Sequence, residues 1–464
     1  MLTEFHIGID DTDSRLGGCT TYTAAILFQE LVSKGFKPID FPWLVRLNPN
    51  IPWKTRGNGA LSLHFILESE QLEEAKKIGI SVVERTSDLS QRSTDPALVF
   101  LKGPVPSLLS KFSNRALHDV APVREAQHVA DEVDAETHLL KGSRGLVGAL
   151  ASVGADLSCD HTFEIIAYRT PENIGKTRRV SLDSVRRMDA MFQGLTFNNV
   201  DPETGRILIC PHGPDPVLFG VRGEDPVVVT RAFNQIQVDE SIERAMIFRT
   251  NQGTDAHLNC SRRIEALRPY QSTVIAGRVS GPPRMHRGGH VIFRTSDETG
   301  SVDCAAYKAT GPVREAALQL APGDSVVVSG GIRSRPLGEL TLNIEKLEVT
   351  GLIDVIRWEN PLCSRCGARC ESMGRGQGLR CKKCKTRFLK TARVQTLDQR
   401  KISLGVYLPP PRTHRHLTKP ASRNGIHRPT FFETSIASTS IDPKLESLVS
   451  ISVCVLMNQR AGIE

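Results

Sequence analysis

No stretch of the 464 residues is apolar for the twenty or so positions that a bilayer core demands. The N-terminus, MLTEFHIGID, has neither the basic start nor the apolar stretch of a secretory signal, so a cytoplasmic protein without membrane partners is expected. Internal repeats and long low-complexity segments are absent. Missing too is the even scatter of cysteines that staples small secreted domains. Of eleven, Cys363, Cys366, Cys370, Cys381 and Cys384 crowd one segment, and Cys19, Cys159, Cys210, Cys260, Cys304 and Cys454 lie far apart. A reducing compartment and a metal site explain that better than disulfides.

What is present is ordinary globular material, 39% hydrophobic and 24% charged, and too long for one core, so two to four domains are expected. The net charge of +8 is concentrated late. Arg365, Arg369, Arg375, Arg380, Lys382, Lys383, Lys385 and Arg387 surround the clustered cysteines, and Arg412, His414, Arg415, His416 and Lys419 follow. A basic C-terminal third fits a polyanion partner as well as it fits a solvated surface.

Phe5–Ile9 reads as a strand, and the helix after it can be capped by Thr20 or Thr21 and closed by Lys34-Gly35. Lys54–Leu67 reads as a Gly-rich turn into a strand, Lys141–Ala155 as a basic Gly-rich turn into a small-residue helix, and Thr162–Arg169 as a strand. This alternation indicates α/β or α+β. From about Tyr270 to Gly351 five strand-like runs appear, with the helical PVREAALQL before the fourth, the order of an OB-fold; a small barrel without a ligand is the alternative.

Chemistry concentrates in three places. Cys363-Ser-Arg-Cys366 and Cys381-Lys-Lys-Cys384, fourteen residues apart, can offer four thiolates to a structural Zn2+, with Cys370 a bystander. Asp10, Asp11 and Asp13 end the first strand just before Thr20 and Thr21. Such a turn can hold Mg2+ against nucleotide phosphates, or Asp13 and Thr20 can merely cap a helix. The turn Lys141-Gly142-Ser143-Arg144-Gly145 can cradle phosphates or serve as plain capping. Cys210–Gly223 and Phe248–Leu258 are polar loops beside strands, readable as a pocket or as turns.

Together the segments GIDDTDSRLGGCTTY, RLNPNIPWKTRGNGA, SRGLVGAL, PVLFGVRG, NQGTDAHL, GGHVIFRTSDETGSVDCAAY, GRGQGLRCKKC and RTHRHLTKP resemble one family, the archaeal tRNA-modifying 2-agmatinylcytidine synthetases, from Ile7 to about Pro420. The resemblance implies ATP-dependent joining of agmatine to the wobble cytidine of an isoleucine tRNA with a CAU anticodon. The base is phosphorylated on its ring carbonyl, ATP ends as AMP, and a threonine, by position Thr20, is phosphorylated.

It also implies a multidomain α+β fold. An α/β kinase-like catalytic domain is expected over 1–155, a ferredoxin-like α+β domain over 156–265, an OB-fold barrel over 266–353, a zinc ribbon with a basic segment over 354–420, and a tail of no assigned role over 421–464. On that reading Asp10, Asp11, Asp13 and Thr20 are catalytic, and Lys141, Gly142, Arg144 and Gly145 bind ATP. Asp215, Gly220, Arg222, Asn251, Asp255 and His257 are candidates for agmatine. Arg375, Arg380, Lys382, Lys383, Arg412, Arg415, His416 and Lys419 are expected to contact tRNA. RTHRHL departs from the family's double arginine by placing His414 beside Arg415. The competing reading is a non-catalytic single-strand-binding protein built on the barrel and ribbon, which leaves three carboxylates facing two hydroxyls unexplained.

Overall fold

A computed structural model describes residues 2–14, 16–389 and 393–426; nearly all of the expected tail, including the apolar run Leu448–Met457, lies outside the described residues. The chain opens with β1 (Leu2–Asp10), α1 (Thr20–Ser33), β2 (Lys37–Pro38), β3 (Trp43–Arg46), β4 (Gly59–Glu68), α2 (Leu72–Thr86) and β5 (Ala97–Lys102). Then come α3 (Ser107–His118), α4 (Val123–Glu132), β6 (Glu136–Leu139) and α5 (Gly145–Val153). Next are β7 (Thr162–Arg169), α6 (Leu182–Met191), β8 (Thr196–Phe197), β9 (Val217–Gly223), α7 (Pro226–Phe233) and β10 (Ile242–Thr250).

These strands form a single sheet ordered β6-β5-β1-β4-β3-β10-β7-β9-β8, with β2 beside β4. The two units expected before residue 265 therefore share a sheet. Their seam is a short parallel pairing of Trp43–Leu44 with Arg249–Thr250. Asn251 reinforces it, accepting from Arg46 N at 2.8 Å and donating to Arg46 O at 2.9 Å. Away from the seam the pairing is antiparallel, including both neighbours of β1. Strand, turn and helix look alike in sequence whichever way the next strand returns, so an α/β expectation meets an antiparallel sheet.

The period of two along β1 decides what faces what. Phe5, Ile7 and Ile9 enter the core that α1 and α2 cover, with Leu27, Phe28 and Val82. Gly8 and Asp10 face the opposite layer, where α5 lies so close that a Cβ on Gly8 would stand 2.1 Å from Ala149 O. The small residues of GLVGALASV permit that approach. Neither threonine caps α1 as expected. Cys19 is the N-cap residue, and the Asp13 carboxylate accepts from Thr20 N at 2.7 Å.

β11 (Ser272–Met285), β12 (Val291–Ser296), β13 (Ser301–Ala306), α8 (Pro312–Gln319), β14 (Ser325–Ser334) and β15 (Leu340–Gly351) form the expected barrel. Its order is β13-β12-β11-β14-β15, closed by parallel pairing of β13 with β15. β16 (Ile356–Glu359), β17 (Cys370–Ser372), β18 (Leu379–Cys381), β19 (Arg387–Phe388) and β20 (Val394–Leu397) make the small cysteine-bearing unit. β21 (Gly405–Tyr407) returns to the barrel beside β15. The chain then crosses back onto the large sheet, where Arg423 is 1% exposed.

Candidate functional site

A cavity of about 350 Å³ opens where β1 ends. Asp10, Asp11 and Asp13 contribute to its wall, with Thr55 and Asn58 from the β3–β4 loop, Asp119 after α3, and Arg144 before α5. Asp10 faces α5 so closely that a Cβ on Gly148 would stand 1.8 Å from its Oδ2. Burial, then repulsion from Asp11, pushes the Asp10 carboxyl well above its ordinary value.

Asp11 adopts a left-handed backbone, φ 59°, uncommon for a residue with a Cβ. Its Oδ2 accepts from Arg144 Nε at 2.7 Å, and Thr55 Oγ1 donates to its Oδ1 at 3.3 Å. Burial raises it to about 7 in spite of that guanidinium. Asp13 is likewise raised by burial, against the pull of Arg56.

The three carboxylates do not converge as one ligand set, because Asp11 is drawn to Arg144 and Asp13 to the start of α1. Their chemistry nonetheless suits a magnesium ion: oxygen donors whose charges burial and mutual repulsion penalise are relieved by a cation. Thr20 is 3% exposed and stands behind the wall, its hydroxyl donating to Asp13 Oδ1 at 3.1 Å and accepting from Thr12 at 3.1 Å.

The phosphate-cradle residues separate. Arg144 reaches the cavity, whereas Lys141 donates from Nζ to Leu89 O and Gln91 O at 3.0 and 2.8 Å. The backbone N–H groups of the turn are occupied by Asp95, whose oxygens accept from Gly142 N at 2.6 Å and Arg144 N at 3.0 Å. A Cβ on Gly145 would come 2.5 Å from Asp95 O. Asp95 carries no sequence signal, being one aspartate in an unremarked stretch. Lys54, Thr55 and Asn58 do carry one. They lie in KTRGNGA, a basic glycine-bearing turn of the same kind as Lys141–Gly145.

The agmatine candidates are dispersed. Asp215 is buried, paired with Arg178 at 3.1 Å and facing Arg56 at 3.6 Å. Gly220 leaves room for Glu164, which pairs with Arg222 at 2.9 Å. Asn251 stitches the sheet seam. Asp255, φ 58°, holds Lys419 N at 2.7 Å and pairs with Lys346 of the barrel. His257 Nε2 bonds Glu345 Oε2 of the barrel at 2.9 Å. The last two tie domains together.

A second cavity of about 350 Å³ gathers Arg222, Arg412, Arg415 and His416, with Arg206 and His414. Three of its arginines, Arg222, Arg412 and Arg415, already have carboxylate partners. Arg412 pairs with Asp201 at 3.1 Å and Arg415 with Glu345 at 3.1 Å, while Lys419, outside the cavity, pairs with Asp160 at 2.8 Å. Arg46, then burial of the ring, then Arg222 hold His416 well below the usual imidazole range. His414 is lowered by burial and bonds Pro409 O at 2.9 Å, so it serves as a neutral turn-former.

On the small C-terminal unit, Arg375, Lys382 and Lys383 are exposed and Arg380 pairs with Glu371 at 2.9 Å. Cys363, Cys366, Cys381 and Cys384 bring their sulfurs within 4.8 Å of one another, the one such convergence among the described residues. Sγ separations of 3.6 Å for Cys363–Cys384 and 3.4 Å for Cys366–Cys381 fit tetrahedral thiolate ligation of zinc. Cys370 is buried beside the cluster and outside it.

Family models described as the TiaS TCKD domain and the TiaS FLD domain match residues 6–142 and 143–257. An OB-fold nucleic acid binding domain matches 273–350, and the TiaS C-terminal zinc ribbon domain matches 360–402. The isoleucine-tRNA 2-agmatinylcytidine synthetase TiaS of Pyrococcus horikoshii is 41% identical over 415 residues, 89% of this chain and 96% of its own. A crystal structure of apo TiaS, an isoleucine-tRNA agmatidine synthetase, superposes with a TM-score of 0.81 at 37% identity, covering 91% of this chain and 98% of the other. That of a complex of TiaS with its isoleucine tRNA, AMPCPP and agmatine does so at 0.78 and 34% identity, over 91% and 98%.

Proposed function

The chain belongs to the TiaS family of isoleucine-tRNA 2-agmatinylcytidine synthetases, and from that premise we propose that it uses ATP to join agmatine to the wobble cytidine of an isoleucine tRNA with a CAU anticodon. The observation that carries the reading to this chain's own residues is the carboxylate turn on the wall of a nucleotide-sized cavity. A ring carbonyl oxygen is a poor leaving group. Phosphorylated, it departs as phosphate when the agmatine amine attacks the ring carbon. The product pairs with adenine in place of guanine, so the tRNA reads AUA.

Asp10 and Asp11, with Asp13 beside them, would hold magnesium, which neutralises phosphate charge when bound. Arg144, in the cavity and already paired with a carboxylate, is placed to exchange that partner for a phosphate. The domain over 1–155 acts as a kinase toward the base and toward Thr20, whose buried hydroxyl must give up its bond to Asp13 to react. Agmatine's guanidinium calls for a carboxylate, and Asp215, buried and paired with Arg178 while facing Arg56, would take it up in exchange for one of those arginines. The barrel and the exposed ribbon cations Arg375, Lys382 and Lys383 take hold of the tRNA.

The test is incorporation of radiolabelled agmatine into CAU-anticodon isoleucine tRNA with ATP and magnesium. Wild type should incorporate label and Asp11→Ala should lose at least about a hundredfold in rate. A wild type that binds the tRNA, incorporates nothing and consumes no ATP would overturn the reading.

A further inference from the structure

The loop joining β3 to β4 carries a half-exposed tryptophan on a frame that is held from every side. Asn48 Nδ2 donates to Asp119 O at 3.1 Å and to Tyr270 O at 2.8 Å, and its Oδ1 accepts from Asn50 N at 3.0 Å. Asn58 Nδ2 donates to Asn48 O at 2.9 Å. From the barrel, Arg333 Nη1 reaches Asn50 O at 2.6 Å, and from the C-terminal segment Arg415 Nη1 reaches Pro49 O at 2.8 Å. Three parts of the chain therefore fix the loop, and they fix it beside the catalytic cavity.

Trp53 sits on this frame, 51% exposed, and lines the cavity that Asp10 and Asp11 also line. Its ring meets Tyr270 in a T-shaped contact, centroids 6.0 Å apart, and Arg333 lies over the Tyr270 ring at 5.7 Å. Isolated exposed apolar side chains are common and mean little. Here the exposed indole is braced by a second aromatic and a guanidinium, and Ile51, Val120, Pro122 and Val123 supply apolar wall to the same cavity. A slot with an aromatic rim, apolar sides and carboxylates in its wall suits a flat heterocycle bearing phosphate.

We propose that a nucleobase stacks on Trp53 at the rim of the catalytic cavity, an assignment that rests on the synthetase reading above. The base belongs to the anticodon loop of the tRNA or to ATP, and the two sources are separable. Agmatine incorporation is measured for wild type, Trp53→Ala and Trp53→Phe, with tRNA and ATP varied independently. Loss of base–aromatic stacking should raise KM for one of them about tenfold in Trp53→Ala, and Trp53→Phe should restore most of it.

A rise confined to tRNA assigns an anticodon-loop base, and a rise confined to ATP assigns adenine. Unchanged KM for both, in a Trp53→Ala protein whose melting temperature matches wild type, overturns the proposal. If wild type incorporates no agmatine, the synthetase reading falls on its own. Stacking is then decided by titrating tRNA and ATP against indole fluorescence of wild type and Trp53→Phe, where equal quenching in the two proteins overturns it.

Discussion

Asp10 holds its place against its own charge. Burial and the neighbouring Asp11 carboxylate raise its pKa well above the ordinary 3.8, so the folded state keeps a proton that the unfolded chain gives up. A carboxylate raised in this way lowers stability as pH climbs through its unfolded value, and below that value the effect vanishes. Asp10→Asn should therefore stabilise the protein at about pH 7.5, with the gain fading as pH falls toward 3.8, and should abolish agmatine incorporation. Denaturant unfolding at the two pH values, beside the activity assay, checks both halves. Equal stabilisation at both pH values would show that ionisation is not the cause. Asp13 teaches the complementary lesson, since its bond to Thr20 N is the helix-capping role that the sequence allowed beside the metal role. Asp13 thus serves the turn's architecture and contributes to the cavity wall beside Asp10 and Asp11.

Among elements, α5 and the zinc ribbon show how local composition becomes a site. The helix reaches β1 because Gly8 and Gly148 lack side chains, and that approach brings Gly148 against Asp10. Gly148→Ala should cost about 1–3 kcal/mol by overpacking and should displace Asp10, lowering kcat more than tenfold; a melting curve and the incorporation assay read the two effects. The ribbon has a core of four buried residues, three of them cysteines, which is too little apolar material to fold without metal. Zinc chelation, or Cys381→Ser, should unfold residues 360–402 and weaken tRNA binding while the large sheet persists; native-state hydrogen exchange would locate the loss. The ribbon and barrel were legible in the sequence because their signals are local, as two C-x-x-C knuckles and five turn-bounded strands. The antiparallel direction of the sheet under the acidic turn was not, since no short segment records which way its neighbour runs.

For the whole molecule, the C-terminal segment after β21 acts as a strap across the large sheet. Arg423, fully buried, pairs through Nη2 with Asp160 at 2.7 Å and Glu224 at 3.0 Å. Removing one partner from a buried ionic network leaves the others uncompensated, so Arg423→Ala should cost about 3–5 kcal/mol, measurable by urea denaturation. A cost below about 1 kcal/mol would mean that the strap is dispensable. The resemblance ended near Pro420, and nothing in the sequence marked the residues just beyond it as structural.

The sequence alone determined what depends on neighbours along the chain: the thiolate knuckles, the barrel's succession of five strands, the acidic turn before a helix, and a family resemblance assembled from ordered motifs. Tertiary structure decided every question of partnership. It set Asp95 into the basic turn before α5, tied Asp255 and His257 to the barrel, and paired Arg412, Arg415 and Lys419 with carboxylates of the same chain. The physical reason is that a charge or a hydrogen-bonding group acts through whatever lies within a few ångströms of it. In a folded chain those groups come from far along the sequence, where no local pattern announces them.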